Sequence, residues 1–324
     1  MADTDFMQKK LQSYIEKEKL IKKGDKLLLA LSGGADSVAL LYLLYKMRTD
    51  MNLSLLAVHV NHQLRGEEST GDEAFCKELC LQLNVPIIIR RIEISSHKDL
   101  ENQARIHRVG IFTQLLKLYR FDKIVTAHHK NDQAETMLMN LMRGAGLGGL
   151  AGIKPISGNT IHPLLPFSRE ELCKMLQSEK ITWREDSSNS DNRFARNRIR
   201  NILIPMIQSE FNPAFVEVMS RQAEIFRNSE SCISNLIGRK LKKVVLDQFP
   251  DSYILSIEHL MAMTETERFY ILRYVYAQLA KTENDFFYHS FDEINQLCQS
   301  DGSKETSLQH GVVVRKQYTE LIFS

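Results

Sequence analysis

The stretch LLLALSGGADSVALL, residues 27–41, links two apolar runs through two glycines, a carboxylate and two serines. The first run, 27–31, is short and continuous, as in a strand buried on both faces. The second continues with helical spacing over 36–48. A glycine-rich turn from strand to helix aims backbone N–H groups and the positive helix end at one point. Such a point binds anions, phosphate above all. Gly33 and Gly34 let a ligand approach the backbone closely, and Ser32 and Ser37 add hydroxyl donors. Asp36 should repel a phosphate unless a divalent cation lies between them. Mg²⁺ is commonly held by one or two carboxylates together with substrate phosphates. The Walker pattern GxxxxGK[ST] is absent, so this is a phosphate loop of another kind.

Outward from this stretch, strands and helices alternate. SLLAVHVN (54–61), VPIIIRRIEI (85–94) and FDKIVTAHH (121–129) read as further strands. Helix-period segments at 67–83 and 99–119 lie between them, and 131–143 follows as one more helix. Apolar strands separated by helices predict a doubly wound α/β domain with a mostly parallel sheet. Its ligand site should lie at the carboxyl ends of the strands. Ser168 and Glu171 form a capping-box pattern, and the sequence from about 193 to past 245 reads as helical. The tail, 310–323, reads as a strand pair. These features predict a catalytic domain over 1–212 and a mainly helical domain over 213–324 that ends in the strand pair.

Composition excludes several classes. No run of about 18 uncharged apolar residues exists, so a membrane span is not expected. The first 20 residues alternate charged and apolar positions without a signal-peptide core, which points to a cytoplasmic protein. Five cysteines, Cys76, Cys80, Cys173, Cys232 and Cys298, are odd in number and contain no CxxC, so no disulfide framework or zinc site is expected. A net charge of +2 does not announce nucleic-acid binding, which leaves that argument to local patches. Gly144, Gly146 and Gly149 satisfy GxGxxG but follow a helix rather than a strand, so they read as a loop over the substrate instead of a dinucleotide site.

SGGADS resembles the pyrophosphate loop of the N-type ATP pyrophosphatases, the PP-loop superfamily, which cleave ATP between the α and β phosphates and adenylate a substrate. Four further stretches narrow the resemblance: VHVNHQLRGEES (58–69), ENQARIHR (101–108), AHHKNDQAETMLMNLMRGAGLGGLAGI (127–153) and DSSNSDNRFARNRIRNILIP (186–205). Together they resemble the tRNA-isoleucine lysidine synthetase family over residues 25–210. The resemblance implies the adenine nucleotide α-hydrolase-like fold, and ATP and Mg²⁺ as cofactors. It implies free L-lysine and a tRNA(Ile) with a CAU anticodon as substrates. It further implies adenylation of C2 of the first anticodon cytidine and displacement of AMP by the lysine ε-amine. A homodimer is left open.

The resemblance places ATP against Ser32, Gly33, Gly34, Ala35, Asp36, Ser37, Val58 and His59. Asp36, Arg105, His128, Asp132 and Glu135 become the catalytic candidates. Asp132 and Glu135 are three apart on one helix and share a face. Asp132 either joins Asp36 on Mg²⁺ or receives the lysine ammonium, with Glu135 and Arg143 as further lysine contacts. Arg105 would neutralise charge developing on the α-phosphate. Asn131 stands where the family often has an acid, and His107 and Arg108 offer no aromatic stacking partner. Arg193, Arg196, Asn197, Arg198 and Arg200, with Arg239 and Lys240, are candidate tRNA contacts. Two alternatives remain. A tRNA thiolase of the same superfamily would need catalytic cysteines, and an inactive RNA-binding module would not turn over ATP.

Overall fold

The computed structural model describes residues 2–63, 66–92, 100–185, 191–281 and 286–324. The DSSNS run at 186–190 and the expected strand residues 93–94 lie outside them. The chain divides into two compact units, Met1–Arg227 and Asn228–Ser324. The boundary expected at 212 precedes this division by one short loop and half a helix.

In the first unit, helix α1 (Ala2–Glu18) precedes strand β1 (Lys26–Ala30) and helix α2 (Ala35–Met47). Then come β2 (Ser54–Asn61), α3 (Glu67–Gln82), β3 (Ile87–Arg91), α4 (Leu100–Leu118), β4 (Lys123–Val125) and α5 (Lys130–Met142). A short helix α6 (Leu147–Leu150), the hairpin β5 (Ile156–Ser157) and β6 (Thr160–Ile161), and α7 (Arg169–Ser178) follow. The sheet order is β3-β2-β1-β4-β6-β5, parallel except for β5. The chain steps from β1 to β2 on one side and crosses to β4 on the other. The crevice at the carboxyl ends of β1 and β4 is therefore the topological switch point.

The strand pattern shows how both faces are covered. Leu27, Leu29, Leu55 and Ala57 pack into one core with α1, α2 and α7. Leu28, Leu56 and Val58 point the other way, against Phe112, Leu115 and Leu116 of α4. Because side chains alternate across a strand, a continuous apolar run serves two cores at once. Ser168 caps α7 as its spacing predicts: its hydroxyl accepts the Glu171 N–H at 3.1 Å, and the Glu171 carboxylate accepts the Ser168 N–H at 2.6 Å.

After α7 come α8 (Ala195–Arg198), a π-helical turn at Ile199–Leu203, α9 (Ile204–Glu210) and α10 (Phe215–Val244). Pro205, which has no N–H to give, sits at the start of α9 and accounts for the irregular turn before it.

The second unit holds helices and the expected terminal strand pair, and it extends that pair into a larger antiparallel sheet. It contains β7 (Val245–Phe249), β8 (Ser252–Ser256), α11 (Ile257–Met261), α12 (Glu265–Ala280), α13 (Tyr288–Gln299), β9 (Lys304–Ser307), β10 (Val313–Gln317) and β11 (Glu320–Phe323). The five strands form an antiparallel sheet of order β7-β8-β11-β10-β9. The expected pair is β10 and β11. Two of the others escape sequence reading for physical reasons. β7 follows α10 directly with no Gly or Pro between, and β9, KETS, has no apolar face. Tyr276, Phe291, Leu255, Val314 and Phe323 fill the core under this sheet.

Candidate active site

The loop after β1 is braced by its own serines. Ser37 Oγ donates to the Gly34 carbonyl at 3.0 Å and accepts the Ser32 N–H at 3.2 Å, and the two hydroxyls lie 3.0 Å apart. Gly33 has φ +93°, a region that strains any side chain. A Cβ there would also stand 3.3 Å from Cys76 Sγ. His59 Nδ1 donates to the Leu31 carbonyl at 2.9 Å, fixing the strand end just before Ser32. His59 and Val58 are buried, so both support the loop from within the sheet.

Arg184 is a loop contact that sequence reading missed. Its N–H donates to the Gly33 carbonyl at 2.9 Å, and its Nε donates to Asp72 at 3.1 Å. It belongs to no spacing pattern, and only the tertiary fold brings it to the loop.

Across the switch point, His129 caps α5. Its Nδ1 accepts the Asn131 N–H at 3.2 Å, while Asp132 Oδ2 accepts the His129 N–H at 3.0 Å. The ring proton is thereby placed on Nε2. That atom lies 3.4 Å from Asp36 Oδ1 and 3.4 Å from Asp132 Oδ2. One imidazole thus joins the first turn of α2 to the first turn of α5. Burial opposes charge on His129, but Asp132 and Asp36 outweigh it and raise its pKa. Burial also opposes the Asp132 charge. His129 chiefly, with Arg196 and the His129 N–H, overcomes that and holds the carboxyl at about 2.

Glu135 is fully buried on the same face. It accepts from Arg196 Nε at 2.7 Å and from Arg200 Nε at 2.6 Å. Asp132 Oδ1 accepts from Arg196 Nη2 and Arg200 Nη2, each at 3.1 Å. Arg196 and Arg200, read from sequence as tRNA contacts, therefore hold the carboxylate pair. The pattern that could have shown this is a one-turn spacing on both sides, Asp132 with Glu135 and Arg196 with Arg200. A cavity of about 50 Å³, lined by His129, Asn131, Glu135, Arg169 and Arg200, adjoins the pair. Asn131 Oδ1 accepts the Arg169 N–H at 3.0 Å, so this side chain ties α5 to α7.

His128 lies beside the cluster. Burial lowers its pKa, Asp132 opposes that, and Arg196 and Arg108 add to the lowering. Other candidates are not drawn in. Arg105 is exposed on α4. Arg143 is exposed at the far end of α5, about 16 Å along the axis from Asp132. Of the remaining tRNA candidates, Arg193 and Arg198 are exposed, Arg193 pairing with Asp191 at 2.7 Å. Asn197 Nδ2 donates to the Asp191 carbonyl at 2.9 Å. In the second unit Arg239 is exposed and Lys240 pairs with Glu267. The glycine loop carries the short α6 and is pinned by Gln133, whose amide contacts the Ala151 carbonyl at 3.2 Å and the Ile153 N–H at 2.8 Å.

A family model described as the PP-loop domain matches residues 4–207. The tRNA(Ile)-lysidine synthase of Clostridium perfringens is 33% identical over 321 residues, covering 97% of this chain and 68% of that protein. That of Geobacter sulfurreducens is 30% identical over 335 residues, covering 100% of this chain and 70% of that protein. The chain belongs to the tRNA(Ile)-lysidine synthase family. It is thus an ATP-dependent ligase built on a PP-loop domain. Among solved structures, the U34-tRNA thiolase NcsA of Methanococcus maripaludis superposes with a TM-score of 0.58 at 17% identity, covering 70% of this chain and 80% of that one. That likeness shows the shared fold. No helix among the described residues is long and apolar enough to cross a membrane.

Proposed function

We propose that the crevice between β1 and β4 cleaves ATP between its α and β phosphates. It then transfers the adenylyl group to the C2 carbonyl oxygen of the first anticodon cytidine of a CAU-bearing tRNA(Ile), and the amine of free L-lysine attacks C2 and expels that oxygen as part of AMP to give lysidine. The observation that carries this reading is the convergence of the Ser32–Ser37 loop, Asp36, His129, Asp132 and Glu135 at one switch point. The loop N–H groups and the α2 N-terminus receive the pyrophosphate.

Asp36 Oδ1 is buried, has His129 Nε2 3.4 Å away with no closer hydrogen-bond partner among the described residues, and suits a cation. Asp132 would join it only once Arg196 and Arg200 release its Oδ1. No group of three or more His, Cys, Asp or Glu among the described residues is arranged to hold a metal, which fits an ion carried largely by ATP phosphates. Mg²⁺ would supply neutralisation of phosphate charge there.

The lysine ε-ammonium must lose a proton before it attacks. Asp132, held charged beside His129, would orient the ammonium for that step. Arg196 and Arg200 hold both carboxylates in place until lysine replaces them. The exposed Arg193 and Arg198, with Arg239 in the second unit, serve the tRNA backbone, and the protein works in the cytoplasm.

A sulfur-transfer reading is disfavoured by the cysteines. Burial pushes the Cys80 thiol up to about 12 and raises Cys76 as well, the reverse of a reactive thiolate. The test is incubation with ATP, Mg²⁺, labelled lysine and CAU-bearing tRNA(Ile). Lysine incorporation with AMP release supports the proposal. AMP release that requires a sulfur donor, or no AMP release, refutes it.

A further inference from the structure

Beside the cluster, three side chains close a small hydrogen-bonded ring that the proposed reaction does not use. β4 and β6 run parallel, with Val125 opposite Ile161, so Thr126 and His162 leave neighbouring strand ends side by side. The Thr126 N–H donates to the Ile161 carbonyl at 3.1 Å, and the His162 N–H to the Pro155 carbonyl at 3.0 Å, which fixes both backbones. Thr126 Oγ lies 2.7 Å from His162 Nδ1 and 2.9 Å from His128 Nδ1. The two Nδ1 atoms are 3.2 Å apart, with the rings edge to face at 86°. His162 is buried, whereas His128 is partly open.

Two nitrogens at this distance cannot both carry protons or both present lone pairs. A neutral imidazole has one N–H and one acceptor, and a threonine hydroxyl has a single donor. Burial keeps both rings neutral, His162 most firmly, with its pKa pushed down to about 3. The tautomers of the two histidines are therefore opposite and linked. In one arrangement His162 Nδ1–H donates into the ring, Thr126 O–H donates to His128 Nδ1, and the His128 proton resides on Nε2. This arrangement suits the surroundings, since Nδ1 is already engaged by Thr126 and the negative charge of neighbouring Asp132 favours a proton on the remaining ring nitrogen.

We propose that His162 is a positioning residue that, through Thr126, locks His128 in its Nε2–H tautomer and so presents a fixed hydrogen-bond donor to the anionic reactant. The proposal rests on the reading of His128 as a site residue. A donor oriented before the reaction needs no reorganisation as charge develops, which is where such groups gain their effect.

The test uses the full chain with ¹⁵N-labelled histidine and long-range ¹H–¹⁵N spectra, assigned with His128→Phe and His162→Phe. The expected result is one Nδ1–H ring, His162, and one Nε2–H ring, His128. In His162→Phe, His128 should lose its single tautomer. In parallel, tRNA-dependent AMP release is measured for two conservative variants. His162→Asn places its amide where Nδ1 was and should keep kcat within about 3-fold, whereas His162→Gln reaches the Nε2 position and should lose about 10- to 100-fold with KM for ATP little changed. Equal kcat for the two variants overturns the proposal, as does an unchanged His128 tautomer in His162→Phe. If His128→Ala alone keeps full activity while the linked tautomers are observed, the reading of His128 as a site residue has failed and the hydrogen-bonded ring has not.

Discussion

Replacing Glu135 by Gln examines the most heavily charged contact in the first unit. The side chain is fully buried and accepts three bonds from two guanidinium groups, at 2.6, 2.7 and 3.0 Å. Removing one partner of a buried ion pair costs about 3–5 kcal/mol, because the remaining charge stays buried. Two features moderate that here. Arg196 and Arg200 remain 30% and 25% exposed at the side chain, and both keep Asp132 Oδ1 at 3.1 Å. Glutamine also retains one acceptor oxygen. The expected loss is then about 2–4 kcal/mol, a fall of roughly 5–15 °C in the melting temperature of a unit this size. Trp183 is the single tryptophan and lies in that unit, so its fluorescence reports the transition without interference from the other. A variant melting within about 2 °C of the wild type would refute the arginine clamp as a source of stability.

Gly33→Ala must adopt φ +93° with its Cβ 3.3 Å from Cys76 Sγ. Strain of about 1–3 kcal/mol should weaken ATP binding roughly 5- to 100-fold by calorimetry, and unchanged affinity would contradict the loop assignment. Asp132 is held at about 2 in the folded chain, below its ordinary 3.8. Its ionisation therefore stabilises the fold above about pH 4, and about 2 kcal/mol is lost as pH falls from 4 to 2, roughly half of it by pH 3. The stability gap between wild type and Asp132→Asn, read from urea midpoints, should narrow accordingly, and a gap independent of pH would count against it. Reversing the exposed Arg193 and Arg198 to Glu should weaken tRNA binding and flatten its salt dependence while ATP affinity holds; unchanged filter binding at low salt would remove both from the tRNA surface.

The first unit was legible because its strands are buried on both faces. LLLAL and SLLAVHVN carry their position in composition alone, and the capping pattern of Ser168 and Glu171 is local. The second unit was less so. Strand β9 is polar and β7 continues a helix without a breaker, so neither leaves a periodic trace. The site divides similarly. The loop and the acids on α5 were visible as motifs, since each is set by neighbours within one turn. The centrality of His129, the Arg184 contact to Gly33 and the seating of Arg196 and Arg200 on the carboxylates depend on partners 61 to 151 residues apart, beyond the reach of local spacing. Arginine-rich sequence invited an RNA reading for the whole segment, whereas the fold turns alternate arginines inward and leaves others exposed.

Cleavage of ATP between its α and β phosphates is the central claim, and its products distinguish it directly. The measurement is the fate of the terminal label when the chain acts on [γ-³²P]ATP with CAU-bearing tRNA(Ile) and lysine. The account predicts labelled pyrophosphate, formed only when the tRNA is present and abolished in Asp36→Asn. Labelled orthophosphate with ADP as its partner would contradict it.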